Sequence, residues 1–111
     1  MPDIKIVVAD TFSKRLRGWL GWDVIPVNTW LWLTPCSGVH TLLMRETLTL
    51  VYLDKRHEVC EIVPEIRPWR FHTCSIAHSV LESSHLRSDA LYRIIPLLPQ
   101  AVRRVVKTQR R

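Results

Sequence analysis

The sequence is poor in features that define whole classes of protein. Its 111 residues include three Cys, an odd and sparse number that excludes a disulfide-stabilised scaffold. No stretch approaches the roughly 18 consecutive apolar residues of a membrane-spanning helix. The start, MPDIKIVVADTFSK, has neither the basic segment and apolar run of a secretory leader nor a lipidation motif. We therefore expect a cytoplasmic protein with free thiols.

Local signatures of common enzymes are also missing. The chain contains no Gly-rich nucleotide loop, paired-carboxylate site, Ser-centred motif or zinc-knuckle spacing. Three Gly is a low number for an all-β protein with many tight turns. These absences favour a protein that is not an enzyme and that contains some helix.

Acidic side chains are absent from the C-terminal segment. All ten Asp and Glu lie within residues 1–89, whereas the 16 Lys and Arg continue to the end of the chain. Residues 1–89 hold ten Lys and Arg and are therefore neutral, so the net charge of +6 comes from residues 90–111. The chain is predicted as one domain, residues 1–96, with a basic tail, residues 97–111. The basic side chains of the tail are Arg103, Arg104, Lys107, Arg110 and Arg111.

This tail has two interpretations. A helix starting at Pro99 would separate its valines from its charges, which favours weak contact with an anionic membrane surface or with nucleic acid. The alternative is a solvated tail, or a helix packed on the domain with its charges outward.

Hydrophobic residues make up 47% of the chain, so a buried core is expected. Alternating or β-branched runs predict strands at residues 4–10, 28–35, 47–54, 58–66 and 76–82, the third and fourth forming a hairpin. Helical spacing predicts short helices after Asp10 and at residues 83–95. The predicted fold is mainly β (α+β), a small compact antiparallel barrel-like domain with one or two short helices.

A metal-ligating set is suggested by Cys36, His40 and Met44, spaced four residues apart. Thiolate, imidazole and thioether suit copper, or zinc with further ligands. On a straight strand, however, positions four apart are separated by about 13 Å at 3.3 Å per residue, too far for one ion. A bulge at Gly38 would shorten this distance. The alternative is that these residues belong to the core, in which case no cofactor is expected.

Thiol catalysis is a further hypothesis for the same residues. Cys36 would act as the nucleophile and His40 as its base, which requires a lowered thiol pKa and hydrogen-bond contact. Glu46 is the nearest acidic residue that could orient the base.

The segment IRPWRFHT contains a second candidate site. It places Trp69 between Arg67 and Arg70, with His72 close by. An exposed loop of this kind would bind an anion, a sugar face or single-stranded nucleic acid. The alternative is that Trp69 covers one end of the core and that the arginines pair with surface acids.

Several segments in order resemble one protein family. ADTFSKRLRGWLGW is similar to its opening strand and helix, and CSGVHTLLMRETLTLVYLD to its central signature. EVCEIVPEIRPWR resembles the following strand with its Pro–Trp exit, and AHSVLE a late strand that ends in Leu–Glu. Together they cover residues 7 to about 84. The family is domain-of-unknown-function family 192, which comprises small bacterial and archaeal proteins.

The resemblance implies a compact, mostly β, barrel-like fold and no established activity. The chain departs from the family pattern after Glu82, where a Gly-containing helix and a Gly–Asp turn are replaced by LYRIIPLLPQAVRRVV. The best-supported function from sequence is a non-catalytic binding or accessory module with an unknown protein or small-molecule partner.

Overall fold

A computed structural model describes residues 3–109. In chain order, the strands are β1 Lys5–Ala9, β2 Thr29–Leu33, β3 Gly38–His40, β4 Leu48–Leu53, β5 Val59–Ile66, β6 Phe71–Thr73 and β7 Ser79–Ser84. The α-helices are α1 Phe12–Arg17, α2 Ser88–Ile94 and α3 Leu98–Gln109, and a short 3-10 helix, Ile95–Leu97, joins the last two.

The main sheet is open. Its strand order is β1-β2-β7-β4-β5, so β1 and β5 form its two edges, and β3 pairs with β6 in a separate two-stranded sheet. β1 lies parallel to β2, and the other pairs are antiparallel. The prediction of a mainly β fold with short helices is confirmed, but closure into a barrel is not.

The central strands are buried on both faces of the sheet. All residues of β2 are buried, although its sequence alternates Trp and Leu. Trp30 and Trp32 pack in a cluster with α2 and α3, whereas Leu31 and Leu33 pack in a second cluster on the opposite face. Successive side chains of a strand point to opposite faces, so a strand covered on both faces has no exposed positions.

The segment predicted as a basic tail contains a helix that packs on the sheet. Leu98 and Val102 of α3 are fully buried in the cluster around Trp30 and Trp32. The charged side chains of Arg103, Arg104 and Lys107 are on the exposed side of the helix. Of the two interpretations of this segment, the packed helix with outward charges is the one observed.

The hairpin of β4 and β5 turns without Gly. Oδ1 of Asp54 accepts hydrogen bonds from the backbone N–H groups of Arg56 and Glu58, at 2.8 and 3.1 Å. These bonds from Glu58 and Arg56 lower the pKa of Asp54. The Asp side chain therefore stabilises the turn that Gly would otherwise favour, and the predicted hairpin is confirmed.

The buried indole N–H groups differ in whether they have a hydrogen-bond partner. Nε1 of Trp19 donates to the backbone oxygen of Glu82 at 3.2 Å. Nε1 of Trp30 and Nε1 of Trp32 are buried without a hydrogen-bond partner among residues 3–109. Buried indole N–H groups usually find a partner, but the rings of these two lie in the apolar layer under the helices.

Candidate functional site

Cys36, His40 and Met44 do not lie on one strand. β3 contains only Gly38 to His40, in regular register with β6 and without a bulge at Gly38. The chain turns after His40, where the backbone N–H of Met44 donates to the oxygen of Thr41 at 3.2 Å and Leu43 has a φ of 67°. The separation calculated for a straight strand therefore does not apply, and all three side chains line the same cavity.

Within this cavity, the thiol and the imidazole are engaged with the backbone. Sγ of Cys36 donates to the oxygen of Gly38 at 2.9 Å, and burial raises the pKa of this thiol. Nδ1 of His40 accepts from the backbone N–H of Leu42 at 3.3 Å. A buried thiol with a raised pKa stays protonated at neutral pH, which weakens it as a nucleophile and as a metal ligand.

A metal site in this cavity would have few of the side chains that bind metal ions strongly. Between residues 3 and 109, no three His, Cys, Asp or Glu side chains form a group that could hold a metal ion. A copper or zinc site would therefore need Met44 beside Cys36 and His40, and it stays a prediction.

The cavity, called the α1 cavity below, has a volume of about 240 Å³ and lies between α1, β3 and the main sheet. Its lining combines large apolar side chains with a few polar ones. The apolar lining includes Phe12, Leu16, Trp19, Leu20, Leu33, Val39, Leu42, Met44 and Leu48, and the polar lining includes Arg15, Arg17, Cys36, His40 and Glu82. A mostly apolar concave surface with a few convergent polar groups is typical of a small-molecule site.

Glu82 is the residue of this cavity that sequence reasoning missed. It lies on β7 between Leu31 of β2 and Leu50 of β4, and is only 3% exposed. The strand alternation places Glu82 on the same face as Val80, which packs in the cluster on the α1 side of the sheet.

The Glu82 carboxyl group has no partner of its own. It makes no hydrogen bond and no ion pair with any residue in the described part of the chain, and burial raises its pKa to about 8. Oε1 lies beside the C-terminal end of α1, 3.5 Å from where a Cβ on Gly18 would stand. Carboxyl groups are rarely buried without a partner, because desolvation opposes their charged form.

Helix α1 forms the outer wall of the cavity. Oγ1 of Thr11 caps it by accepting from the backbone N–H of Lys14 at 3.2 Å, and Gly18 ends it with a φ of 53°. None of the residues in α1 is buried, and Phe12 and Leu16 are 73% and 57% exposed. The wall is therefore a short helix held mainly by its ends, with apolar side chains at the rim.

The Trp69 loop is hydrogen-bonded to Thr41 and is exposed. The backbone N–H groups of Trp69 and Arg70 donate to the main-chain oxygen and to Oγ1 of Thr41, both at 2.9 Å. Trp69 is 58% exposed with a φ of 65°, so the interpretation that it covers the core is wrong.

The other predicted residues of this loop are partly engaged. Nε of Arg67 lies 3.7 Å from Oε1 of Glu65, and Nη1 of Arg70 donates to the oxygen of Trp69 at 3.3 Å. His72 lies on β6 and is half-buried: its Nδ1 is 3.0 Å from the hydroxyl of Tyr52, and its Nε2 is 3.3 Å from Oε2 of Glu61. It lines a shallow surface pocket together with Arg67 and Arg70, so the structure brings three of the four predicted residues together there. Ligand binding by this loop stays a prediction.

The basic residues of α3 are separate from both sites. Arg103, Arg104 and Lys107 line a shallow groove with His57 and Gln100, and Nη2 of Arg103 donates to the oxygen of Arg56 at 2.9 Å. Arg110 and Arg111 lie outside the described residues. Contact of this segment with nucleic acid or an anionic membrane stays a prediction. Among the described residues, no helix has the length and apolarity needed to span a membrane.

These features define the protein as an open-sheet α+β domain with a small cavity under its first helix. The chain belongs to domain-of-unknown-function family 192 (DUF192), described as "Uncharacterized ACR", whose model matches residues 2–91. The resemblance stated from the sequence is confirmed. The match ends within α2, so α3 lies beyond it.

Two similar proteins are themselves uncharacterised. The chain is 29% identical over 76 residues to a "UPF0127 protein" of Thermococcus sibiricus, covering 61% of this chain and 46% of that protein. The fold is similar to the crystal structure of a protein of unknown function from Novosphingobium aromaticivorans, with a TM-score of 0.65 and 12% identity. That similarity covers 73% of this chain and 63% of the other, and it concerns the fold alone.

Proposed function

We propose that the protein is a non-catalytic binding module that holds a small molecule in the α1 cavity. The observation that carries the proposal is the Glu82 carboxyl group, which is buried, has no partner among the described residues and lines this cavity. A buried polar group without a partner costs free energy of folding, and a ligand that pairs with it would remove that cost.

The surroundings of Glu82 also favour binding over catalysis. The cavity volume of about 240 Å³ is below the roughly 300–1,000 Å³ of pockets for drug-sized ligands, so the ligand would be small. The two groups that thiol catalysis would use, Cys36 and His40, are engaged by backbone hydrogen bonds. Burial also raises the pKa of Cys36, which is opposite to the activation of a nucleophile.

A blocked cavity tests the proposal. Leu16 lines the mouth of the cavity and is 57% exposed, so Leu16→Trp adds volume there without disturbing the core. Fragments that bind the natural protein, detected by NMR shifts of cavity residues, are expected to bind Leu16→Trp at least about tenfold more weakly.

The matched control is Ile76→Trp, because Ile76 is also apolar and exposed, at 70%, and lies in the turn before β7. The control is expected to bind the same fragments as the natural protein. Equal binding by all three proteins, or a fragment library without a single binder to the cavity, would contradict the proposal.

A metal ion is a second candidate for the same cavity. The observation in its favour is that Cys36, His40 and Met44, three residues with ligand chemistry, line one space. The natural protein is then expected to bind about one equivalent of copper or zinc in a titration, and His40→Ala to lose that binding. His85→Ala, at an exposed histidine outside the cavity, is the control, and identical metal content in all three proteins would eliminate this candidate.

A further inference from the structure

The strongest unexplained feature of the cavity is the charge state that the fold imposes on Glu82. The residue lies on a central strand with apolar neighbours on both adjacent strands. Its backbone oxygen accepts a hydrogen bond from Nε1 of Trp19, whereas its carboxyl group forms no hydrogen bond or ion pair with residues 3–109. Because burial raises its pKa to about 8, the carboxyl group is mostly protonated at pH 7. When this carboxyl group ionises, no ion pair within residues 3–109 compensates its charge, so a cation brought to the carboxylate would be stabilised.

The arginines that line the cavity do not supply this compensation. Nη1 of Arg15 donates to the backbone oxygen of Asp10 at 3.2 Å, and Nε of Arg17 donates to the backbone oxygen of Leu20 at 3.0 Å. Neither forms an ion pair with Glu82 in the described structure, and Arg17 is exposed. Both guanidinium groups are therefore bound to backbone oxygens near the ends of α1, although the charge of Arg15 still acts on the cavity, where burial raises the pKa of the Cys36 thiol and this charge opposes the rise.

The other titratable groups near Glu82 are uncharged or engaged. The Cys36 thiol donates to Gly38, and burial raises its pKa. The Tyr52 hydroxyl donates to the oxygen of His72, and burial likewise raises the pKa of Tyr52. On β3, His40 accepts a backbone hydrogen bond. A cationic ligand would thus meet an acidic group whose titratable neighbours are engaged in hydrogen bonds, with Arg15 and Arg17 as the arginines that line the same cavity.

We infer that the ligand of the α1 cavity is a small organic cation, a primary amine or guanidine with a short apolar body, whose charged nitrogen forms an ion pair with Glu82. The apolar body would contact Leu16, Leu42 and Met44, which line the same cavity. This inference rests on the proposed function and adds the chemical class of the ligand.

The ion pair implies a balanced proton exchange. At pH 7 the ammonium group arrives with its proton, and Glu82 gives up its own proton to solvent as the ion pair forms. One proton is therefore released per ligand bound at pH values below about 8, and fewer as the pH rises above it. The affinity for an amine that stays protonated over this pH range should rise about tenfold per pH unit up to about pH 8 and then level off.

The experiment compares three probes of one shape: n-butylamine, n-butanol and butyrate. Binding is followed by NMR shifts of cavity residues at pH 6, 7, 8 and 9, and proton release by calorimetry in two buffers of different ionisation enthalpy. We expect n-butylamine to bind at least about tenfold more tightly than n-butanol at pH 8, with butyrate the weakest of the three. The Glu82→Gln protein is expected to lose the preference for the amine, whereas Glu58→Gln, at an exposed position, keeps it.

A direct measurement on Glu82 covers the case in which the variant does not fold. The carboxyl carbon of Glu82, observed by NMR in the natural protein, should titrate at a lower pH when n-butylamine is saturating. Butanol binding as tight as the amine, or an unchanged Glu82 titration, would overturn the inference and leave the proposed cavity function intact. Preference for butyrate would assign the site to anions held by Arg15 and Arg17. Failure of all probes and fragments to enter the cavity would overturn both proposals.

Discussion

The Glu82→Gln protein is expected to be more stable than the natural protein at pH 9 and about equally stable near pH 4. The folded state raises the pKa of Glu82 from its ordinary value of 4.5 to about 8, because burial disfavours the charged form. The folded state therefore binds the Glu82 proton more tightly than the unfolded state does. The corresponding stabilisation is fully present below pH 4.5 and is lost as the pH rises through 8.

The size of this loss of stability follows from the difference between the pKa values of Glu82 in the folded and unfolded states. At 1.36 kcal/mol per tenfold change, the raised pKa corresponds to at most about 5 kcal/mol of lost stability above pH 8. Gln has nearly the same shape as Glu and carries no charge at any pH, so its free energy of unfolding should not show this decline. Urea denaturation at pH values from 4 to 9 measures the difference between the two proteins.

Glu58→Gln is the control, because Glu58 is exposed and its substitution should leave the pH dependence of the natural protein unchanged. Parallel stability curves for Glu82→Gln and the natural protein would show that Glu82 is not held in a desolvated environment. That result would also remove the observation on which the cavity proposals depend.

The Leu98→Ala protein is expected to lose about 2–5 kcal/mol of stability, a typical cost of a large-to-small substitution at a buried position. Leu98 is fully buried at the start of α3, in contact with the cluster that contains Trp30 and Trp32. Removing its side chain leaves a cavity under the helix that the rigid sheet cannot fill. For a domain of this size the loss should lower the Tm by about 10 °C or more.

Gln100→Ala serves as the control on the same helix, because Gln100 is exposed. An unchanged Tm for Leu98→Ala would mean that α3 is not part of the core.

The burial of Leu98 and Val102 also changes how contact with nucleic acid has to be tested. Deleting the segment would unfold the domain, whereas Arg104→Gln and Lys107→Gln remove charge from exposed positions and should leave the stability within about 0.5 kcal/mol.

The sequence predicted the elements whose formation depends on local pattern. The first two strands, the β4–β5 hairpin and the helix near residues 88–94 form close to where periodicity placed them. The hairpin is the clearest case, because Asp54 and two backbone N–H groups form its turn within five residues. The segment IRPWRFHT, interpreted as an exposed loop, contains β6, which is only three residues long and pairs with β3.

Other features depended on which surfaces meet. The pattern of β2 predicted a strand but not what covers its faces; helices cover the face of Trp32, which is therefore as buried as Leu31. Similarly, the composition of residues 97–111 left both a solvated tail and a packed helix open, and the structure packs the valines and Leu98 of α3 on an apolar layer. Net charge carries no information on what an apolar stripe will contact.

In the candidate site, too, some features follow from the local sequence and others only from the tertiary structure. The sequence by itself determined that Cys36, His40 and Met44 lie in a short segment, and that Glu82 ends an apolar run of a strand. Only the tertiary structure decided that the chain turns after His40, that α1 closes over the sheet, and that the Glu82 carboxyl group is enclosed there without a partner among the described residues. Local spacing determines which side chains share a face of a strand or helix. The desolvation of a charged group depends instead on elements that are distant in sequence. Here β7 carries Glu82, and α1 covers it.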